Sequence, residues 1–118
     1  MKVRESTHKR AKKEKLGEAQ LQAVSQLFAV LSEPTRLRIL QMLQDGPASV
    51  GDIVKTLTIK QANASKQLGI LLQAGVLARE KAGNSAIYSI RMQLVLDLCG
   101  LVCNGLRDEA EARLKLLA

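Results

Sequence analysis

Between Thr58 and Gly75 the apolar residues Ala64, Leu68, Leu71 and Leu72 recur at i, i+4, i+7 and i+8. That spacing puts them on one face of an α-helix and predicts that this face is buried. The other side of the same turns carries Lys60, Gln61, Asn63, Lys66 and Gln67, side chains suited to phosphates and to the donor and acceptor edges of bases in a major groove. The stretch reads as a DNA recognition helix.

The same periodicity sorts the rest of the chain. Leu21, Val24, Leu27, Phe28 and Leu31 mark a first amphipathic helix from Glu18 to Leu31. Ser32-Glu33-Pro34-Thr35 restarts the chain: Ser32 can cap, and Pro34 fits a first turn whose amides lack intrahelical acceptors. A second helix follows to about Asp45-Gly46-Pro47, with Leu37, Ile39, Leu40 and Leu43 as core candidates and Arg36 and Arg38 read as surface charge ahead of phosphate contact. Pro47-Ala48-Ser49 is a short extended link. Ser49 then stands three residues before Asp52, a capping signal for a short third helix with Ile53, Val54 and Leu57 inward. Thr58-Ile59 is the turn into the recognition helix, and the pair forms a helix-turn-helix.

Gly75 sits where a helix end needs a left-handed backbone. Beyond it, residues 76–81 and 86–90 read as two strands joined by 82–85, with Arg79 and Lys81 alternating onto one side and Asn84 and Ser85 at the tip. A basic hairpin directly after a recognition helix is a wing; a plain hairpin covering the core edge is the competing reading. From Met92 to Leu117 a last helix is apolar on more than one side, through Leu94, Val95, Leu96, Leu98, Cys99, Leu101, Val102, Cys103 and Leu106. So small a domain has no core of its own for that much surface, which predicts a homodimer paired through the first and last helices. Two-fold pairing presents two recognition helices to successive major grooves and favours an inverted-repeat operator in double-stranded DNA.

The fold expected is mainly α with a small β-hairpin wing: about five helices and a two- or three-stranded antiparallel sheet. Residues 1–15 read as a disordered basic arm, either a phosphate-binding extension or a solvated tail, and 16–118 as one DNA-binding and dimerisation domain.

Charge sharpens this picture. The net charge is +7 in 118 residues. The arm alone carries seven Lys or Arg against Glu5 and Glu14, while residues 60–91 set five basic residues against Glu80. Positive charge in the folded part thus gathers around the proposed reading surface. Aromatic residues make up 2% of the chain, which disfavours single-strand binding by base stacking. The one His, His8, lies in the arm, and no paired-carboxylate, Ser-His or nucleotide-loop constellation is visible, so no enzymatic activity and no cofactor are expected. No apolar run approaches the roughly 20 residues of a membrane span and no secretory signal is visible, which predicts a cytoplasmic protein.

Two stretches, Leu31-Ser32-Glu33-Pro34-Thr35-Arg36-Leu37-Arg38-Ile39-Leu40 and Ser65 to Leu77, together with the order of elements, closely resemble the ArsR/SmtB family over residues 18–107. The resemblance implies a dimeric winged helix repressor that occludes an operator and is released by an inducing signal. It places the base-reading face on Lys60, Gln61, Asn63, Ser65, Lys66 and Gln67, with two departures: Lys60 replaces a small capping hydroxyl residue, and Gln67 replaces a common His. Metal sensors of the family use a Cys-x-Cys pair before the turn, where this chain reads Ala48 to Ile53, or His and acidic ligands on the last helix, which here has no His. No metal site of either kind is expected.

Cys99 and Cys103 remain, four residues apart on one helix. Their Cβ atoms should stand about 5–6 Å apart, beyond the roughly 3.5–4.5 Å of a disulfide. Packing is the first reading of the pair, thiol or redox sensing the second and metalloid binding the third. Outside sequence-specific repression, a non-specific architectural role on nucleic acid is the alternative.

Overall fold

A computed structural model describes residues 14–118; the proposed basic arm falls almost wholly outside them. Five helices and a three-stranded sheet follow in order: α1 (Glu18–Val30), α2 (Pro34–Gln44), β1 (Ala48–Ser49), α3 (Val50–Leu57), α4 (Gln61–Gln73), β2 (Leu77–Ala82), β3 (Ser85–Ile90) and α5 (Gln93–Leu117).

Each boundary has a local cause. Helix α2 is capped by Glu33, not by Ser32: the Glu33 carboxylate accepts from the Arg36 amide at 3.0 Å. Ser32 instead donates its hydroxyl to the Ala29 carbonyl oxygen at 2.7 Å and closes α1. Ser49 Oγ accepts from the Asp52 amide at 3.1 Å and starts α3 as its position predicts. The turn after α3 rests on Thr58, a β-branched residue held at φ +54°, an uncommon backbone state for that residue type. Helix α4 ends at Gly75, which takes φ +79°.

The core is one cluster where α2, α3, α4, the sheet and the start of α5 meet: Ile39, Leu40, Leu43, Ala48, Ile53, Leu68, Leu71, Val76, Leu77, Tyr88 and Val95. Leu37 is not in it; at 37% exposure it lies on the outer side of α2. Helix α1 has no buried residue and α5 only Val95. The sheet order is β1-β3-β2, all antiparallel, with Ala48 opposite Tyr88 and Arg79 opposite Tyr88 on the other flank. The hairpin turns at Gly83 and Asn84, because Ser85 already pairs with Ala82; Ser85 is therefore the first residue of β3, not part of the tip. Gly83 supplies the positive φ, +65°, that a two-residue hairpin turn requires.

Candidate nucleic-acid interface

Helix α4 is seated by Ala64, Leu68 and Leu71, each fully buried. The buried stripe turns Gln61, Ser65 and Lys66 to solvent, with Lys60 exposed just ahead of the first turn and Asn63 half-buried at the margin. Lys60 occupies the N-cap position and makes no side-chain capping bond. The amides of Gln61 and Ala62 thus receive no acceptor from that side chain, while the Asn63 amide donates to the Lys60 carbonyl at 3.1 Å; an uncapped helix start of this kind suits a phosphate oxygen.

Gln67 departs from the expected surface. It is 6% exposed. The Arg36 guanidinium donates through Nη1 to Gln67 Oε1 at 2.7 Å, and Gln67 Nε2 donates to Asn63 Oδ1 at 3.0 Å. Gln67 follows Ala64 by three residues and precedes Leu71 by four, so it lies on the inward stripe itself. It is removed from the base-reading set for that reason. Arg36, first read as surface charge, is half-buried and makes three hydrogen bonds through its side chain, adding the Val30 carbonyl at 2.6 Å and the Ala29 carbonyl at 3.4 Å. A polar residue on an apolar stripe was the available signal for Gln67; nothing local pointed to its partner 31 residues away.

In the wing, Arg79 and Lys81 share the face that supplies Leu77 and Tyr88 to the core, by the two-residue alternation of strands. Both are exposed because the hairpin runs out past the core at its tip, where Asn84 is exposed too. The hairpin thus carries two cations out beyond the core.

Away from this surface, α1 and α5 leave large apolar side chains in solvent: Leu21, Val24 and Phe28 on the first, Leu94, Leu101, Val102 and Leu106 on the second. Between them lies a crevice of 520 Å³ lined by Ala23, Val24, Leu27, Val30, Met92 and Leu94, among others. Cys99 is half-buried and Cys103 exposed, and both are free thiols; Arg107 Nη2 approaches Cys103 Sγ at 3.6 Å. Among the described residues, no three His, Cys, Asp or Glu side chains gather as a metal-holding group, and no helix is long and apolar enough to cross a membrane.

Residues 31–80 match the model of a helix-turn-helix domain. The chain is similar to the uncharacterized HTH-type transcriptional regulator Rv0081 of Mycobacterium tuberculosis, 37% identical over 75 residues, or 63% of this chain and 66% of that protein. The crystal structure of Rv0081 superposes with a TM-score of 0.75 at 31% identity, covering 83% of this chain and 99% of that one. The transcriptional repressor SdpR of Bacillus subtilis is 31% identical over 81 residues, 69% of this chain and 90% of its own. In fold, the homodimeric winged helix-turn-helix domain of Mb0332 from Mycobacterium bovis, a possible ArsR-family regulator, superposes with a TM-score of 0.71 at 24% identity over 84% of this chain and 94% of that one. On this extent of agreement the chain belongs to the ArsR/SmtB family of winged helix-turn-helix transcriptional regulators.

Proposed function

We propose that the protein is a cytoplasmic homodimeric repressor that reads an inverted-repeat operator through α4 and steadies itself on the flanking phosphates through the wing. One observation carries the reading: α4, anchored by its buried leucines, leaves Lys60, Gln61, Ser65 and Lys66 exposed to solvent. Gln61 and Asn63 are the base-edge readers, Ser65 and Lys66 bond the backbone beside them, and Lys60 with the open first turn of α4 holds a phosphate. Arg79, Lys81, Asn84 and Ser85 supply the wing contacts. The apolar residues left on α1 and α5, and the crevice between them, support pairing with a second copy there. The test is selection of genomic fragments on the purified protein: enrichment of an inverted repeat supports specific reading, and equal recovery of all duplexes assigns an architectural role.

A second reading concerns the release signal. Cys103 is exposed, neighbours Arg107 and lies on the helix proposed to pair the protomers, so modification of its sulfur there disturbs the pairing. Peroxide or arsenite should then free operator from the native protein and not from the Cys99→Ser, Cys103→Ser double variant; equal responses remove the thiols from the release step.

A further inference from the structure

The hydrogen bonds running from α2 into α4 have a fixed direction. A guanidinium only donates, so the atom of Gln67 that meets Arg36 must be the amide oxygen, as it is at 2.7 Å. That leaves Gln67 Nε2 for Asn63, and an NH₂ group requires an acceptor, so Asn63 turns its Oδ1 inward at 3.0 Å. Among the described residues none accepts from the Asn63 NH₂, which lies at the margin of the exposed face. The cation that imposes this order is itself fixed: Arg36 Nε and Nη2 reach the last carbonyls of α1, at Val30 and Ala29, where the negative end of a helix favours a positive charge.

We propose that Arg36 is a positioning residue for base recognition: acting through Gln67, it presents Asn63 to the groove as a hydrogen-bond donor. This rests on the reading of α4 as the base-reading helix and adds the polarity of one contact. A donor selects the bases whose major-groove edges only accept, guanine through N7 and O6 and thymine through O4, against cytosine, which offers only the N4 donor there. One position in each half-site is therefore guanine or thymine.

Reversing the relay reverses the preference. In Gln67→Glu the ionised carboxylate still receives Arg36 but can no longer donate, so Asn63 must give it the NH₂ and turn Oδ1 outward. Cytosine or adenine then replaces guanine or thymine at that one position. Arg36→Gln removes the cation that dictates direction; either amide order then satisfies the chain, and the preference flattens.

The experiment is selection from a duplex library, randomised across an inverted-repeat core, on the full-length wild type, Asn63→Ala, Gln67→Glu and Arg36→Gln, with circular dichroism to confirm the fold of each. Asn63→Ala identifies the position by losing its preference, which should be at least about fivefold in the wild type. Inversion in Gln67→Glu, with flattening in Arg36→Gln, supports the relay. Should Gln67→Glu not fold, the Arg36→Gln arm alone decides by flattening or retaining the preference. A Gln67→Glu protein that enriches the wild-type base, or an Asn63→Ala protein that keeps the full preference, overturns it while leaving specific binding intact. A wild type that enriches no sequence at all overturns the reading of α4 as well.

Discussion

Arg91 Nη1 donates to the carbonyl oxygen of Gly75 at 2.9 Å, tying the residue that ends the recognition helix to the exit of the wing. The main chain repeats the tie, since the amides of Arg91 and Met92 both donate to the Val76 carbonyl, at 2.9 and 3.2 Å. Helix α4 and the hairpin are thereby set at one angle to each other, and Gly75 is the joint, at φ +79°.

Gly75→Ala should therefore destabilise the domain by about 1–2 kcal/mol, because a side chain at positive φ pushes its Cβ toward the backbone. Gly69→Ala, six residues earlier and inside α4, should act in the opposite sense. A Cβ there meets open space, so the variant gains about 0.5–1 kcal/mol of helix propensity. Urea midpoints at unchanged slope measure both. Two changes of the same sign would show that the backbone at 75 is not what limits stability.

Lys60 offers a change that separates stability from binding. It stands at the N-cap of α4 without a side-chain capping bond, so Lys60→Ser should add the missing bond and raise stability by about 0.5–1 kcal/mol. The same change deletes a cation at the end of α4 proposed to hold a phosphate. Operator affinity should fall and its dependence on log salt should lose about one unit of slope. Thermal melting and a salt titration of operator binding give the two numbers independently.

Gln61 and Lys66 lie on the same exposed surface and should fail differently. Gln61→Ala should cost roughly 1–3 kcal/mol of discrimination between operator and bulk duplex, as loss of a base-edge contact does. Lys66→Ala should weaken binding to every duplex by a similar factor and reduce the salt slope by about one. Competition titrations against operator and random duplex at several salt concentrations distinguish the two. If Gln61→Ala lost affinity equally for both duplexes, its contact would be with the backbone.

What the sequence made legible was the local and the periodic. Ala64, Leu68 and Leu71 announce the seat of α4 by spacing and are all buried; Ser49 and Gly75 announce helix ends by their chemistry and occupy them. Less visible was whatever depends on residues distant in the chain. Gln67 looks like one more amide on a polar helix until Arg36 arrives from α2. Leu37 is apolar by type, yet its place on the outer side of α2 follows from how that helix rolls against α4 and the sheet, which one helix's pattern does not fix. Ser32 and Glu33 both suit a cap; the backbone enters α2 one residue later than the hydroxyl suggests, and the carboxylate reaches the Arg36 amide.

The proposed pairing surface can be broken without touching the core. Phe28 on α1 is 54% exposed and Leu106 on α5 is 65% exposed in the single chain, so a charge at either site meets water in a monomer and an apolar neighbour in a dimer. Phe28→Glu and Leu106→Glu together should leave the helix content unchanged and convert the protein to a monomer at micromolar concentration, read by size-exclusion chromatography with light scattering. Losing the second, tethered half-site contact should then weaken binding to an inverted repeat by at least about a hundredfold, while binding to an isolated half-site changes little. If the double variant remained dimeric, the protomers would have to meet through some other surface, and the spacing of their two α4 helices on DNA would have to be derived from that one.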